Sequence, residues 1–399
     1  MSPPPIRVGI IGLSSSAITS WAADAHLPCF QTPAGRERYR IVALCNSTVA
    51  AARAAIKTYN LPPDTKAYGS PADLAADPDV ELVICNTRVD KHFETTLPSI
   101  EAGKDVYIEW PIASHAADID RLVAAARSSG SRALVGLQGR WAPPVLKVKE
   151  LLDRSAELGL GRLLSSEVRA YGGTKDREIL PVGLKYFAER AVGGNPIVIG
   201  FGHVIDYVQS VVGELVPGSV HTHLQLQRAE VRVRDPAQGD KIVETIRSDV
   251  PDLLSLHGTV ISSRTQNQPA SLIVTFRRGQ PFPGTPALTW TLNCTGGEIR
   301  LVAPLGIGVQ ADAAQVVTIQ LHRYDTDTVE EVPWEWNEQQ AQVPVRARSV
   351  QTVLYAYADA KAAKRNGHGK DDGENGWVEL EDAAARAAQI AGWLDGFQA

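Results

Sequence analysis

Apolar strand-like runs alternate with alanine-rich helical stretches over about the first 140 residues of the chain. Nearly continuous apolar runs are typical of strands that are buried on both faces of a parallel sheet. The β-α-β alternation with short turns therefore predicts an α/β domain with a parallel sheet. The predicted strands are Ile6–Ile11, Tyr39–Cys45, Leu82–Asn86, Asp105–Glu109 and Ala133–Leu137. The predicted helices are about Ala17–Phe30, Ala50–Tyr59, Pro71–Ala76, Phe93–Ala102 and Ala116–Ser129.

The hydrophobic pattern changes after Pro143-Pro144 and one further helix. Partial period-2 alternation, as in Leu272, Val274 and Phe276, is typical of strands with one covered face, so it predicts a large, open, mainly antiparallel sheet. We therefore predict an α+β second domain over residues 143–399, after a first domain over residues 1–142. The predicted strands are Leu163–Ala170, Ser219–Arg232, Leu254–Ser262, Ser271–Phe276, Ala287–Cys294, Gly297–Val302 and Val316–His322, and the predicted C-terminal helices are Val345–Ala363 and Leu380–Phe397.

Composition narrows the class of protein. The chain has 399 residues and a net charge of −5, which provides no basic surface for nucleic acid. It has no apolar run of the length that crosses a bilayer, and its N-terminus lacks the apolar core of a signal peptide. None of the four cysteines has the CxxC spacing of a zinc or redox site. We expect a cytoplasmic protein with buried free thiols.

The turn between the first strand and the first helix reads Gly9-Ile-Ile-Gly-Leu-Ser-Ser-Ser-Ala17. Glycines in such a turn let the backbone approach a pyrophosphate at a helix N-terminus, which is the signature of a Rossmann dinucleotide-binding domain. Only Gly12 fits the usual glycine frame, with Ser14 and Ala17 at the next two positions. Ser14, Ser15 and Ser16 can donate to phosphate, although a serine-rich helix cap without nucleotide is the alternative.

The ends of the next strands indicate the rest of the cofactor site. Asn46 and Ser47 follow the second strand, where an NAD-selective site usually carries an acidic residue. Since no carboxylate there repels a 2′-phosphate, the sequence favours NADP over NAD. Asn86, Thr87 and His92 follow another strand and are predicted to lie near the ribose and nicotinamide of the cofactor.

The segment Tyr107–Ala113, with Glu109 and Trp110 side by side, resembles the Glu-Lys-Pro segment of the Gfo/Idh/MocA oxidoreductase family. The resemblance covers about the first 305 residues and is closest to the fungal branch that includes the yeast galactose-pathway repressor. The other matching phrases are Trp21-Ala22 with His26-Leu-Pro28, Leu137–Arg140, Phe201–Asp206, Val250–Leu254, Gly258-Thr259 and Gly296–Leu301.

In the dehydrogenases of that family the lysine exchanges a proton with the substrate, and an Asp four residues before a His completes the site. The resemblance matches His203 to that His, but Ile199 replaces the Asp and Trp110 replaces the lysine. Neither replacement can exchange a proton at neutral pH. The predicted catalytic residues are His203, Tyr186 and Lys185. A helix-capping role for His203 and a loop-anchoring role for Tyr186 stay open.

Several further residues are predicted near the cofactor. Glu109 and Trp110 end the strand that carries the resemblance, and Pro111 is a candidate cis-proline. Gln138 follows the next strand and can contact cofactor or substrate. The pair His221-Thr-His223 has a spacing that can bind zinc, but no flanking acidic residue or cysteine supports a metal site, so none is predicted.

Three functions fit these residues. The first is an NAD(P)-dependent oxidoreductase that acts on a polyhydroxy or carbonyl small molecule. The second is a galactose-repressor-like regulatory protein that binds NAD(P) and a protein partner. The third is a non-redox isomerase, lyase or cyclase that reuses the pocket. The resemblance also implies a homodimer or a higher homo-oligomer.

Overall fold

A computed structural model describes residues 3–15, 20–310, 316–366 and 376–398. The chain forms two compact units, Met1–Gln138 with Asn337–Ala388, and Gly139–Trp336 with Gln389–Ala399. The predicted assignment of residues 143–399 to a single second domain is therefore corrected, because 337–388 pack with the first unit. Hydrophobic periodicity predicts that a helix has an apolar face, but it does not determine which sheet that face covers.

A parallel sheet forms the centre of the first unit and confirms the predicted α/β class. Its parallel strands in the described residues are β1 (Ile6–Ile11), β2 (Tyr39–Cys45), β3 (Lys66–Tyr68), β4 (Leu82–Cys85), β5 (Asp105–Ile108) and β6 (Ala133–Val135). Their order across the sheet is β6-β5-β4-β1-β2-β3. Strand β3 was not predicted, because its residues are polar or only half-buried and it lies at the sheet edge. This order brings the carboxyl ends of β1 and β4 side by side.

Helices cover this sheet, and three of those described begin at a residue whose side chain caps the first turn. The α-helices are α1 (Leu27–Gln31), α2 (Pro33–Arg38), α3 (Val49–Thr58), α4 (Pro71–Ala76), α5 (Val89–Glu101) and α6 (Ala116–Ser129). The side chains of Thr48 and Ser70 accept from the backbone of the first turns of α3 and α4. The predicted helix Ala17–Phe30 is instead a π-helix, Ala22–His26, followed by α1, and residues 16–19 lie outside the described part.

The second unit is built on a large, mainly antiparallel sheet, as predicted. Its strands are β7 (Leu163–Gly172), β8 (Ile179–Pro181), β9 (His221–Gln225), β10 (Glu230–Asp235), β11 (Lys241–Arg247), β12 (Leu253–Val260), β13 (Ala270–Arg278), β14 (Leu288–Cys294), β15 (Gly297–Ala303), β16 (Thr318–Arg323) and β17 (Thr328–Glu331). The large sheet has the order β17-β16-β15-β14-β7-β13-β12-β9, in which only β7 and β13 pair in parallel among the described strands.

A separate small sheet has the order β11-β10-β8. The predicted strand Ser219–Arg232 is therefore two strands, β9 and β10, in different sheets. The buried carboxylate of Asp252 accepts from the backbone N–H groups of Gln227 and Arg228, each at 2.8 Å, and this turns the chain between them. The sequence pattern did not show the break because Asp252 is distant along the chain.

One face of the large sheet is covered by helices of the same unit. The α-helices here are α7 (Pro143–Asp153) and α8 (Gly202–Val212), and a π-helix, Pro196–Phe201, leads into α8. The ring of Phe201 lies 5.8 Å from that of Phe276, and the ring of Tyr207 lies 6.0 Å from that of Trp290. These aromatic contacts join α8 and the π-helix to β13 and β14.

The chain then returns to the first unit through α9 (Glu338–Ala341), α10 (Val345–Arg365), β18 (Val378–Glu379) and the first half of α11 (Leu380–Asp395). The hydroxyl of Tyr355 on α10 donates to the carbonyl oxygen of Cys29 at 3.0 Å. Strand β18 pairs antiparallel with β6 and forms the sheet edge. The first unit thus needs a segment about 200 residues away in sequence to complete its sheet and cover it.

All four cysteines are buried and free, which confirms the predicted buried thiols. In the described residues no helix is both long and apolar enough to cross a membrane.

Asp105 at the start of β5 fastens α10 to the sheet. Its carboxylate accepts from the hydroxyl of Tyr357 and, at 2.6 Å, from the ammonium of Lys361. Burial, and secondarily the negative charge of Asp105, raises the pKa of Tyr357, so its hydroxyl keeps its proton and remains a donor.

We predict that Tyr357→Phe lowers the free energy of unfolding by roughly 1–2 kcal/mol, because a partly buried carboxylate loses one donor. A lower urea midpoint, followed by circular dichroism, measures this loss. Tyr324→Phe is the control, since this tyrosine is 45% exposed and its substitution is expected to leave the midpoint unchanged. Equal midpoints for the two variants would contradict the anchoring role.

Candidate functional site

Predicted site residues from three strand ends line one cavity of the first unit. Gly12 follows β1, Asn46 follows β2 and Asn86 follows β4, and the cavity between them has a volume of about 580 Å³. Ligands of open parallel sheets bind at this carboxyl edge. The predicted residues that line the cavity are Gly12, Ser14, Asn46, Ser47, Asn86 and Thr87.

Gly12 allows the first turn to approach the neighbouring strand end. Its φ of +94° is unfavourable for residues with a side chain, and a Cβ there would lie 2.8 Å from the carbonyl oxygen of Asn86. Its N–H donates to the carbonyl oxygen of Cys45 at 3.1 Å. The turn is therefore packed backbone to backbone, which leaves open space for a pyrophosphate above it.

Two side chains, one after β2 and one just after α3, hold the turn that follows β1. The amide of Asn46 donates to the carbonyl oxygen of Leu13 at 3.0 Å, and the hydroxyl of Tyr59 donates to that of Ser14 at 2.9 Å. Ser15 is exposed, whereas the predicted contact Ser16 lies outside the described residues. Asn46 therefore positions the loop as well as lining the cavity.

Asn86 carries unused hydrogen-bonding capacity into this region. Both its amide nitrogen and its amide oxygen are buried, and neither has a hydrogen-bond partner in the described protein. Leaving buried polar atoms unpaired is costly, so such atoms at a cavity wall are candidates to pair with a ligand. Together with the space above Gly12, they fit a dinucleotide.

The charges around the cavity are mixed. Arg88 and Lys91 line it, and each is paired with a carboxylate, Arg88 with Asp90 at 2.5 Å and Lys91 with Glu94 at 3.1 Å. Asn46 and Ser47, at the end of β2, are neutral. No acidic side chain therefore follows β2 at the position where NAD-selective sites hold a ribose hydroxyl.

His92 braces the site and is not among the residues that line the cavity, so its predicted cofactor contact stays a prediction. It is 2% exposed, and its ring nitrogens lie 2.8 Å from the carbonyl oxygen of Pro111 and 2.9 Å from that of Thr87. Burial lowers its pKa, although both carbonyl contacts favour the protonated ring. His92 thus connects the loop after β4 with the loop after β5.

Glu109, at the end of β5, is the centre of a second polar cluster. Its Oε1 accepts from the indole N–H of Trp21 at 2.9 Å and contacts Nε2 of His26 at 2.5 Å. The side chain of His26 is completely buried, while that of Glu109 is 12% exposed. His26 ends the π-helix Ala22–His26, and π-helical turns in proteins frequently occur at functional sites.

The segment that follows Glu109 is buried, and a glycine after the next strand lies against the carboxylate. The Trp110-Pro111 peptide is cis, which confirms the candidate cis-proline, and Trp110 is 5% exposed. Gly136 faces the carboxylate, because a Cβ there would lie 2.5 Å from Oε2 of Glu109. Gln138 is also buried, and its amide oxygen has no partner in the described residues.

The predicted catalytic residues all belong to the second unit. His203 is half-buried near the start of α8, and Tyr186 packs with Ile199 against a small apolar cluster. Lys185 is paired with Glu244 on β11 at 2.8 Å, and both side chains are 39% exposed. The ammonium of Lys185 is thus engaged by a carboxylate of the same unit, and its catalytic role stays a prediction.

Sequence reasoning missed Trp21 and His26 as site residues. His26 was not predicted as a site residue, because its partner Glu109 is 83 positions away in the sequence. The only signal was the phrase Trp21-Ala22 with His26-Leu-Pro28, which carried the resemblance without indicating a contact.

Two histidines of the second unit lie close together on its large sheet. His221 and His257 stack on neighbouring strands with ring centroids 4.9 Å apart. In the described ranges no three His, Cys, Asp or Glu side chains come together in a geometry that could hold a metal ion.

Residues 6–137 match the family described as "Oxidoreductase family, NAD-binding Rossmann fold", and residues 143–303 match "Gal80p, C-terminal domain". Dehydrogenase aclE of Aspergillus oryzae is 33% identical over 307 residues, which are 75% of this chain and 77% of that protein. The galactose/lactose metabolism regulatory protein GAL80 of Saccharomyces cerevisiae is 26% identical over 309 residues, which are 76% and 68% of the two chains.

Among solved structures, a super-repressor mutant of Gal80p from Saccharomyces cerevisiae has a TM-score of 0.80 at 20% identity. The match covers 98% of this chain and 95% of that chain. Identity this low shows a common fold and does not transfer an activity.

We predict that His92→Gln reduces stability at pH 8 by roughly 1–3 kcal/mol, because the buried bracing bonds are weakened. The unfolded chain binds a proton at His92 near pH 6.5, whereas the folded chain binds it only at lower pH. Native stability from neutral His92 is therefore present above this range and is lost as the pH falls through it.

The difference in stability between wild type and His92→Gln should consequently shrink from pH 8 to pH 5. Urea unfolding at several pH values measures it, with His223→Gln as the control for an exposed histidine. A difference that stays constant over this range would contradict a depressed pKa for His92.

Proposed function

Because the chain belongs to the Gfo/Idh/MocA family of NAD-binding oxidoreductases, we propose that it is an NAD(P)-dependent dehydrogenase of a polyhydroxy or carbonyl small molecule. The observation that carries this proposal is the intact nucleotide cavity. Gly12 leaves room for a pyrophosphate, and Asn86 offers unpaired buried donors and an acceptor at its wall. A protein that had lost its cofactor would have no physical reason to keep either feature.

The residues present can hold the cofactor. We infer that Gly12 and Ser14 lie against the phosphates, that Ser47 lies near the adenosine ribose, and that Asn86 and Thr87 lie near the second ribose. The bound nicotinamide supplies the hydride acceptor or donor. Trp110, which is buried beside Glu109, forms an apolar wall of the site and takes no part in proton transfer.

In the second unit, His203 is the candidate for a hydrogen bond to the reacting oxygen of the substrate. Its place after the π-helix Pro196–Phe201 supports this role, since π-helical turns frequently carry functional residues. Tyr186 is a weaker candidate, because its ring packs against Phe187 at 4.9 Å in the apolar cluster that also contains Ile199.

The second candidate is a regulatory protein that binds NAD(P). It is supported by the match of residues 143–303 to the Gal80p C-terminal domain and by the similarity of the whole fold to Gal80p. The dehydrogenase is favoured because aclE is more similar in sequence, at 33% identity against 26% for GAL80.

We predict that the purified protein oxidises or reduces at least one member of a panel of aldoses, polyols, cyclic diols and ketones. The near-ultraviolet absorbance of the reduced cofactor measures turnover, and its fluorescence measures binding. Cofactor binding without turnover of any compound would contradict the dehydrogenase and favour the regulator. In that event, turnover gained by Trp110→Lys would show that only the missing amine prevents hydride transfer.

We further propose that NADP is preferred, because the end of β2 carries Asn46 and Ser47 and no carboxylate. Ser47→Asp adds one negative charge and is expected to weaken NADPH binding on the order of tenfold relative to NADH binding. Ser47→Asn is the matched neutral control. Unchanged ratios of the two dissociation constants in Ser47→Asp would place the 2′-phosphate elsewhere.

A further inference from the structure

The site contains a carboxylate that is built to stay in one position. Oε1 of Glu109 is occupied by two groups of the same unit, the indole N–H of Trp21 and Nε2 of His26. Oε2 accepts no hydrogen bond from the described residues, and the side chain remains 12% exposed. Oε1 is therefore held by the protein, whereas Oε2 can accept a hydrogen bond or a proton from a bound molecule.

The surrounding groups leave Glu109 and His26 as the pair able to move a proton. Burial raises the pKa of Tyr107 well above its usual value and also raises that of Cys85. Burial lowers the pKa of His92. Tyr107 and Cys85 therefore keep their protons near pH 7, and both ring nitrogens of His92 are engaged by backbone carbonyl oxygens. A carboxylate and an imidazole are the side chains that most often exchange protons in enzymes.

Other features of the cluster favour chemistry over simple packing. Nδ1 of His26 is buried without a partner in the described residues, although the ring is completely buried. A structural histidine normally satisfies both nitrogens. The ring lies edge-on against Tyr107, with centroids 5.0 Å apart, so its orientation towards Glu109 is fixed by packing.

We propose that Glu109 accepts the hydroxyl proton of the substrate during oxidation and returns it during reduction, with His26 and Trp21 as positioning residues. This inference rests on the proposed dehydrogenase function. In the oxidation the C–H bond of the carbinol breaks, and its hydrogen leaves with both electrons to the oxidised nicotinamide. The O–H bond breaks as well, its proton passes to Oε2 of Glu109, and the carbon–oxygen bond becomes a carbonyl.

Glu109→Gln tests the proposal, because an amide keeps the acceptor for Trp21 but cannot take a proton. Its turnover number with the best substrate of the panel is expected to fall by about 10²- to 10⁴-fold. The dissociation constant of the cofactor is expected to stay close to that of the wild type. Glu101→Gln, which changes an exposed carboxylate at the end of α5, is the control and should keep full activity.

The pH profile separates proton transfer from a structural role. The pH profile of oxidation by the wild type should have an acid limb, and Glu109→Gln should lack this limb. Trp21→Phe removes one hydrogen bond to the carboxylate, so its acid limb should move to higher pH. An acid limb that disappears in His203→Gln and persists in Glu109→Gln would assign the proton to His203 and overturn the proposal.

A cofactor-free readout completes the test. In heteronuclear NMR, the indole N–H signal that is missing from Trp21→Phe should shift with pH in the wild type and should be constant in Glu109→Gln. A signal that is constant in both proteins would overturn the proposal. If the wild type binds cofactor but turns over no compound, the proposed function fails together with this inference. Full turnover by Glu109→Gln would contradict this inference alone.

Discussion

The backbone of Gly12 lies so close to the backbone of Asn86 that no side chain fits between them, and the nucleotide-binding edge depends on this contact. The contact requires β1 and β4 to be neighbours in a parallel sheet, which places both carboxyl ends at the same edge. It also requires a positive φ at position 12, which glycine adopts without strain. Asn46 and Tyr59 then hold the rest of the turn by its carbonyl oxygens.

The carboxylate that follows β5 is held by partners from other parts of the first unit. Trp110, which follows Glu109 in the chain, is buried and carries no charge. Polar partners come instead from Trp21 and from the π-helix Ala22–His26, which turns His26 towards the strand end. The carboxylate of Glu109 is therefore held by side chains from segments that are distant along the chain.

The predicted pattern of elements was confirmed where local sequence determines structure. The long apolar strands, the cis peptide before Pro111 and the buried cysteines all follow from residue types and their spacing. Predictions were wrong where a side chain that is distant in the sequence determines where a strand ends or which sheet a helix covers. Asp252 divides one predicted strand into β9 and β10, and α10 covers the first unit because Tyr357 and Lys361 bind Asp105.

By itself, the sequence determined the two kinds of sheet, the position of the glycine turn and the family resemblance. These properties depend on periodicity and on residues that are close together in the chain. Only the tertiary structure decided that His92 braces two loops, that Lys185 is paired with Glu244, and that His26 contacts Glu109. The roles of these three residues depend on partners from other segments, and the spacing of residues along a chain contains no information about such partners.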